Sequence, residues 1–197
     1  MAINFTGTYL TSIPVLKKQN SEFQPQSISL IEIDKNDNND MKALEETELL
    51  WGERRTCTFL RDMIQTAEVP EKEENVENEH YLVLTKQNNN FDKLNPNDIL
   101  GTALFYEKNG EISNEIKWFQ VKPKENHANK YGREYKSVGS SMLDYFKSTY
   151  AKKPIYVYSS ANAIDFYKKH GFENCKKNYK NHLAWISPNS EIQEIII

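Results

Sequence analysis

The stretch from 116 to 172 decides the fold, because it alternates strand-like and helix-like segments. Its four segments are IKWFQVKP (116–123), SVGSSML (137–143), IYVYSS (155–160) and AIDFYKKHGF (163–172). The first and third are apolar runs of strand length, and the second begins a segment with apolar residues at helical spacing. These helical positions are Met142, Leu143, Phe146 and Tyr150. The order predicts a strand, a turn, an amphipathic helix, a second strand and a second helix.

A turn of small residues precedes the amphipathic helix. Gly139 has no side chain, and Ser137, Ser140 and Ser141 beside it leave backbone N–H groups uncovered. Free N–H groups at a helix start, together with the positive end of the helix dipole, form an anion site. A serine-glycine turn also serves as an ordinary N-cap, and the turn alone leaves both interpretations open.

Three motifs in this stretch match those of a known superfamily. Val121-Lys122-Pro123 is a V-x-P strand end, and Val138-Gly139 matches the end of an R/Q-x-x-G-x-G/A motif that opens a helix. The most specific match is A-x-x-F-Y-x-x-x-G-F, which is complete at Ala163, Phe166, Tyr167, Gly171 and Phe172. With these motifs, the chain from roughly Ile99 to Ile186 resembles the GNAT superfamily of N-acyltransferases, which use acyl-coenzyme A.

The resemblance implies a fold of the α/β (α+β) class. We expect one GNAT-like domain with a mixed central sheet of about six to seven strands flanked by helices. In chain order, the expected elements are a strand, two helices, three strands, a helix, a strand, a helix and a strand. Residues 1–26 are predicted to form an N-terminal extension, in which 8–16 is the only candidate strand, and residues 27–197 the acetyltransferase domain.

Residue patterns locate the elements outside the motifs. Alternating apolar residues predict a first strand at 27–34, and helix formers predict helices at 41–51 and 56–65. Asp40 or a neighbouring Asn is the expected N-cap of the first helix. Further strands are predicted at 81–86, 99–107, 115–121 and 181–186, with Asn109-Gly110 as the turn of a hairpin.

The resemblance also implies an acetyl-coenzyme A site. Backbone groups of the small-residue turn would bind the pyrophosphate, and the strand backbone from Phe119 to Val121 would pair with the pantetheine arm and polarise the thioester carbonyl. The expected coenzyme-binding residues are Phe119, Val121, Arg133, Lys136, Ser137, Val138, Gly139, Ser140, Ser141, Ser160, Asn162 and Phe166.

Two residues are the candidates for acid and base catalysis. Tyr167 occupies the family's tyrosine position and is expected to give a proton to the departing thiolate, with a core tyrosine as the alternative. Glu115, at the start of the strand that leads to Val121, is the expected base that removes a proton from the amine. Glu111 and the loop after Trp51 are its rivals, and a solvated strand-end carboxylate is the other interpretation.

Four departures from the family pattern favour a non-catalytic alternative. Ser137 stands where the first glycine is usual, and Glu134 stands where Arg or Gln is usual. Ser160 replaces an Asn, and the segment 124–135 is longer than the usual link. Because Glu134 would repel a pyrophosphate, Arg133 and Lys136 would have to compensate. A degenerate GNAT fold that binds coenzyme A or a protein partner without catalysis is therefore the alternative to an N-acetyltransferase.

Charge is distributed unevenly along the chain, whose net charge is −3. The stretch from Lys117 to Lys180 contains 14 Lys and Arg against 5 Asp and Glu. A basic region suits the phosphates of coenzyme A, and nucleic acid is the less favoured alternative ligand. The acidic segment 67–80 is expected to be an exposed loop, and it favours a cationic acceptor only weakly. The resemblance implies that the acceptor is a primary amine on a small molecule or a protein.

Composition places the chain among soluble globular proteins. Its 197 residues are 38% hydrophobic and 27% charged, and the sequence has neither a membrane-length apolar run nor a leader pattern. We expect a cytoplasmic protein with Cys57 and Cys175 reduced, and no metal site, because the four histidines have no metal-ligand spacing. The apolar tail Ile195-Ile196-Ile197 is compatible with a homodimer in which it covers a sheet edge.

Overall fold

The structure, a computed structural model, describes residues 7–52, 58–68, 76–89, 91, 93–108, 113–125, 132–175 and 181–188. The chain divides into two compact units, which are described separately. Unit 1 comprises Met1–Lys72, His80–Leu104 and Trp118–Met142. Unit 2 comprises Glu73–Glu79, Phe105–Lys117 and Leu143–Ile197.

The described residues form four helices and nine strands. The helices are α1 (Asn38–Trp51), α2 (Thr58–Glu68), α3 (Val138–Thr149) and α4 (Ile164–Lys169). The strands are β1 (Gly7–Gln19), β2 (Glu22–Ile33), β3 (Val76–Thr85), β4 (Ile99–Lys108), β5 (Asn114–Val121), β6 (Tyr135–Lys136), β7 (Ile155–Tyr158), β8 (Glu173–Asn174) and β9 (His182–Trp185). Their order in the sheet is β6-β1-β2-β3-β4-β5-β7-β9-β8.

The fold class predicted from sequence is confirmed, with more strands than expected. The sheet is mixed, since β5 and β7 are parallel and β1 and β2 are antiparallel. Two of the additional strands, β6 and β8, are two residues long, which is too short to leave a periodic signal. No helix in the described ranges is both long and apolar enough to cross a bilayer.

Unit 1 begins with a long hairpin of β1 and β2. The strands pair from Gly7 and Ile33 to Gln19 and Glu22. Asn20 and Ser21, with φ of 48° and 73°, make the two-residue connection, which has the left-handed backbone of a type I′ turn. The range predicted as an N-terminal extension thus contains all of β1 and the start of β2. The prediction began β2 at residue 27 because the residues from Glu22 to Ser27 have no buried face to set a period of two.

Helices α1 and α2 of unit 1 agree with the predicted helices. Leu60, Met63 and Ile64 form the buried face of α2, as predicted. The predicted N-cap of α1 was wrong: Asp37 accepts the N–H groups of Asn39 and Asp40 at 2.7 and 3.2 Å. The Asp40 carboxylate is instead buried and accepts the N–H of Asp34 at 3.0 Å.

Unit 2 is built around the short parallel pair of β5 and β7. Its three residue pairs join Asn114 to Ile155, Glu115 to Tyr156 and Ile116 to Val157. Strand β9 pairs antiparallel with the other edge of β7. On β4, the ring of Phe105 stacks on Phe146 and Tyr150 of α3 at centroid distances of 5.0 and 4.3 Å, which fixes this part of the core.

Several sequence predictions fall on residues that the structure does not describe. The Asn109-Gly110 turn, Glu111, Cys57 and the tail from 191 to 197 lie outside them. Part of the predicted loop 67–80 is regular structure, because α2 continues to Glu68 and β3 begins at Val76. The first five residues of β3, from Val76 to His80, are mostly polar and none of them is buried, so their sequence resembles that of a loop.

Candidate functional site

The start of α3 has an unusual backbone. Ser137 has a φ of 64°, in the left-handed region, and α3 begins at the next residue, Val138. The N–H of Ser141 donates to the carbonyl of Ser137 at 2.9 Å and closes the first helical turn. A residue other than glycine in this conformation costs about 1–2 kcal/mol. The backbone therefore explains why the superfamily motif has glycine at this position.

We expect Ser137→Gly to raise the free energy of unfolding by about 1 kcal/mol, because glycine adopts this φ without a Cβ clash. Chemical denaturation with the fluorescence of the tryptophans as readout measures the change. Ser140→Gly, which places glycine inside α3, is the matched control and should lower the same free energy by about 0.5–1 kcal/mol. Equal effects of the two substitutions would contradict strain at Ser137.

Within unit 1, strand β1 forms hydrogen bonds to residues on both sides of Ser137. Ser141 Oγ donates to the carbonyl of Pro14 at 2.6 Å, and the N–H of Lys18 donates to the carbonyl of Glu134 at 2.7 Å. Between these contacts, Leu16 of β1 pairs with Lys136 of β6. The sequence did not reveal this support, since the pairing joins two polar segments with no shared motif.

Glycine on β4 lets α3 approach the sheet of unit 1 closely. A Cβ on Gly101 would lie 2.8 Å from Met142 Sδ and 3.3 Å from Val138 Cγ1. Val138 and Met142 are consequently buried against β4 in the first turn of α3. The absence of a side chain at Gly101 therefore sets how closely the start of α3 packs on β4.

Exposure differs among the predicted phosphate-binding residues. Val138 and Gly139 are buried, Ser140 and Ser141 are half-buried, and Ser137 is exposed. The surface that a ligand can reach is therefore concentrated at the three serines. Gly139 is buried within the turn and does not add to this accessible surface.

The segments that precede the turn contain the cationic residues Lys122, Arg133 and Lys136. Lys136 Nζ lies 3.7 Å from the centroid of the Phe23 ring. Arg133 is half-buried, and its Nε has no hydrogen-bond acceptor in the described part of the chain. Burial, with the charge of Lys86 second, lowers the pKa of Lys122, whose Nζ donates to the carbonyl of Asn97 at 3.2 Å. The structure places Lys136 in a cation–π contact and buries Arg133 Nε without a hydrogen-bond partner among the described residues.

A buried carboxylate organises the segment before the turn. Glu125 is 5% exposed, and its Oε2 accepts the N–H groups of Glu134 and Tyr135 at 2.8 and 2.6 Å. Burial first, and then the charges of Glu134 and Glu125, raise the pKa of Tyr135 to about 12. Sequence reasoning missed Glu125 because it follows the V-x-P motif in a segment without periodicity.

The predicted backbone site on β5 follows the short parallel ladder. The ladder with β7 ends at Ile116 and Val157, whereas β5 continues to Val121. Phe119 and Val121 are half-buried on this continuation, and the N–H of Lys122 donates to the carbonyl of Leu100 at 2.9 Å. The V-x-P motif therefore stands at the end of the strand, as the sequence predicted.

Tyr167 lies on α4 in unit 2 and is 4% exposed. Its ring centroid is 5.3 Å from that of Phe166 and 5.4 Å from that of Phe172, both in edge orientation. Burial raises the pKa of Tyr167 well above the ordinary tyrosine value, so the phenol keeps its proton. A protonated phenol suits a proton donor, and burial among aromatic rings equally suits the core alternative.

Glu115 lies on β5 in unit 2 and forms an ion pair. Its Oε2 is 2.8 Å from Lys108 Nζ, and the two side chains are 15% and 16% exposed. The Lys108 N–H also donates to Asn114 Oδ1 at 3.3 Å, which connects the ends of β4 and β5. A partly desolvated carboxylate beside a fixed ammonium has a defined orientation, as a general base requires.

The remaining predicted coenzyme-binding residues lie just before α4 or on it. Ser160 precedes the 3-10 turn Ala161–Ala163, and its carbonyl accepts the N–H of Ala163 at 2.9 Å. Asn162 is exposed, and Phe166 is half-buried with its centroid 4.9 Å from that of the His170 ring. The motif therefore shapes a turn and a short helix that carry Tyr167.

The remaining predictions from sequence concern Trp51 with the loop after it, Cys175 and metal binding. Trp51 ends α1 and is buried at 4% exposure, and the loop residues 53–55, named above as rivals of Glu115, lie outside the described residues. Cys175 is a free thiol. Within the described ranges, no group of three or more His, Cys, Asp or Glu side chains could hold a metal ion.

The fold of this chain is similar to that of several known structures. The crystal structure of Tetrahymena GCN5 has a TM-score of 0.53 and 13% identity, covering 82% of this chain and 96% of that chain. A tandem GNAT protein from the clavulanic acid biosynthesis pathway, solved without AcCoA, has a TM-score of 0.51 and 10% identity, covering 76% of this chain and 45% of that chain. No family model and no curated protein sequence matches the chain. Together with the motifs at Val121 and Tyr167, these structures show that the chain has the fold of the GNAT acetyltransferases.

Proposed function

We propose that this protein is an N-acetyltransferase that transfers the acetyl group of acetyl-coenzyme A to a primary amine. The observation that carries the proposal is the start of α3, within a GNAT fold. There a left-handed residue, Ser137, turns the chain into a 12-residue helix directly after β6. Such a helix start presents N–H groups and the positive end of a dipole to an anion.

The pyrophosphate of the coenzyme is assigned to this helix start. Ser137, Ser140 and Ser141 provide the accessible surface, and the backbone of Val138 and Gly139 completes the turn. Lys136 and Arg133 supply positive charge on the preceding residues, which offsets the carboxylate of Glu134. The proposal assigns the thioester carbonyl and the pantetheine arm to the backbone of β5 from Phe119 to Val121.

Proton transfer is assigned to two residues of unit 2. An amine attacks a thioester only in its neutral form, and Glu115 is the base that accepts its proton. The nitrogen then forms the new bond to the acetyl carbon, and the carbon–sulfur bond breaks. Tyr167 donates its phenolic proton to the departing thiolate, and its burial is consistent with that role because the phenol stays protonated.

One observation favours a second candidate, a GNAT-fold protein that binds coenzyme A or a protein partner without catalysis. Two carboxylates, Glu134 and Glu125, lie in the segment immediately before α3, and the second is held by backbone N–H groups. Their negative charge opposes a pyrophosphate at the helix start. Acetyl transfer to any amine excludes this candidate.

A thermal-shift titration with acetyl-coenzyme A, coenzyme A and ATP tests the proposed function. A ligand that binds only the folded protein adds about 2.7 kcal/mol of stability at one hundred times its dissociation constant. We expect the melting temperature to rise by several degrees with both coenzyme A species and to stay constant with ATP. A constant melting temperature at millimolar coenzyme A would refute the enzyme and the coenzyme-binding alternative together.

A further inference from the structure

Tyr156 and His182 form a hydrogen-bonded pair in unit 2, beside the proposed base. Tyr156 lies on β7, where the parallel ladder pairs it with Glu115 of β5. At the other edge of β7, the antiparallel ladder pairs Tyr158 with His182 of β9. The hydroxyl of Tyr156 shares a hydrogen bond with Nδ1 of His182. Glu115 is therefore the direct ladder neighbour of a phenol that is bonded to an imidazole.

These three side chains lie on one face of the sheet. Side chains alternate between the faces along a strand, and Ile155 and Val157, on either side of Tyr156, are buried on the other face. Tyr156 and His182 are half-buried, and the Glu115 side chain is 15% exposed. Neighbouring strands are about 4.8 Å apart, so a nitrogen that contacts Glu115 is within reach of the phenol, directly or through one water molecule.

Ring contacts hold the imidazole of the pair in place. The centroid of the His182 ring is 5.6 Å from that of Tyr156 and 4.9 Å from that of Tyr158, which meets it edge-on. A phenol that donates to Nδ1 fixes the tautomer of the imidazole, and its oxygen keeps lone pairs that accept another N–H. The pair can therefore take up a proton at Tyr156 Oη while it passes another to Nδ1.

The proposed reaction leaves one proton of the acceptor nitrogen without an acceptor. An ammonium group loses two protons when it becomes a secondary amide. Glu115 takes the first before the attack, and the nitrogen of the tetrahedral adduct then carries one proton more than the amide. Tyr167 acts at the sulfur and gives a proton, so it does not serve this step.

We infer that Tyr156 and His182 remove this second proton, and the inference rests on the proposed function. Tyr156 Oη accepts the proton of the adduct nitrogen while its own O–H proton passes to Nδ1 of His182, which becomes an imidazolium. The carbonyl re-forms and the carbon–sulfur bond breaks. Glu115 and His182 then release their protons to solvent and Tyr167 regains one, so one proton is released for each ammonium acetylated. Tyr156 is the catalytic residue of this step, and His182 is the positioning residue behind it.

Ethylamine and methoxyamine, which have equal numbers of heavy atoms and different basicity, separate the two bases. At neutral pH ethylamine is an ammonium that needs both bases, whereas methoxyamine is uncharged and needs only the second. Tyr156→Phe and His182→Gln should lower kcat for thiol release at least about tenfold with both amines, with little change in KM for acetyl-coenzyme A. Glu115→Gln should be impaired with ethylamine and close to the wild type with methoxyamine.

Two controls separate catalysis from a structural role. Tyr158→Phe removes an exposed hydroxyl from the same strand and face, and it should leave kcat within about twofold. Imidazole added to His182→Ala should restore part of kcat, because a free imidazole can accept the proton from Tyr156. Packing that is lost with the side chain would not be restored in this way.

The outcomes distinguish this inference from the proposed function. Wild-type transfer that Tyr156→Phe and His182→Gln leave within about twofold overturns the inference alone, as does a His182→Ala defect that imidazole does not relieve. An equal defect of Glu115→Gln with both amines also overturns it, because one base then serves both steps. Absence of transfer by the wild type to either amine refutes the proposed function and the inference with it.

Discussion

Tyr167→Phe is expected to lower kcat for acetyl transfer on the order of a hundredfold, with little change in KM for acetyl-coenzyme A. The substitution removes only the phenolic oxygen and keeps the ring, which packs at 5.3 and 5.4 Å from the centroids of Phe166 and Phe172. The fold is thus preserved while the proton donor is lost. Release of free thiol, followed over time at saturating acetyl-coenzyme A, measures the effect.

A control for this substitution is available on α3 in the same unit. Tyr145→Phe removes a hydroxyl from a half-buried tyrosine whose ring meets Phe146 at 6.0 Å, and it should leave kcat within about twofold. If Tyr167→Phe has the same small effect, Tyr167 is a core residue and another group protonates the thiolate.

The pKa of Tyr167 adds a dependence on pH. Burial raises this pKa in the folded protein above the value of about 10 for a free tyrosine, so the folded state retains the proton longer than the unfolded state. The resulting stability is fully present below pH 10 and is lost as the pH rises from 10 toward the folded pKa. Denaturation between pH 8 and 11 should therefore show a steeper alkaline loss for the wild type than for Tyr167→Phe.

Glu115→Gln is expected to lower kcat/KM for the amine by about a hundred to a thousandfold near neutral pH. The amide keeps the size of the side chain but cannot take a proton from the ammonium form of the substrate. The defect should shrink as the pH approaches the pKa of the amine, because the neutral amine then forms without a base. A pH profile of kcat/KM from 6 to 10 measures both effects.

The control for Glu115 must account for its ion pair. Glu115→Gln also removes the charged partner of Lys108 Nζ at 2.8 Å, and because the two side chains are only 15% and 16% exposed, the unpaired ammonium is expected to lower the stability of the fold. Glu173→Gln, at an exposed position on β8, removes a carboxylate from the same unit without this pair. A defect in Glu115→Gln that stays constant across the pH range would indicate a structural role and exclude general-base catalysis.

The sequence predicted those parts of the fold that carry strong local patterns. The apolar face of α2 at Leu60, Met63 and Ile64 and the motif that leads to Tyr167 both lie where they were expected. The GNAT fold itself was predicted from the residues between Val121 and Phe172. These features depend on neighbours within a few residues, which sequence patterns record directly.

The features that escaped prediction depend on contacts distant in sequence. The segment 8–16 was recognised as a candidate strand, but the pairing of β1 with β2 and β6 escaped prediction because much of β1 is exposed and polar. The role of Glu125 escaped for a related reason, since it depends on the N–H groups of Glu134 and Tyr135, which its carboxylate accepts. The predicted Asp40 cap failed because the helix begins earlier: Asp37 accepts the N–H groups of Asn39 and Asp40, so that Asp40 lies within the first turn.

The bond from Ser141 to Pro14 has a consequence for folding during synthesis. Its two residues are 127 positions apart in the chain, so the ribosome must make most of the protein before the bond can form. The β1–β2 hairpin is local in sequence and forms early. The other edge of β1 stays unpaired until β6 has been made. Until that partner emerges, the nascent chain has an open strand edge that invites pairing with other chains. Because the contacts with β6 and Ser141 form late, the β1 edge at Leu16 and Lys17 stays unpaired during most of synthesis.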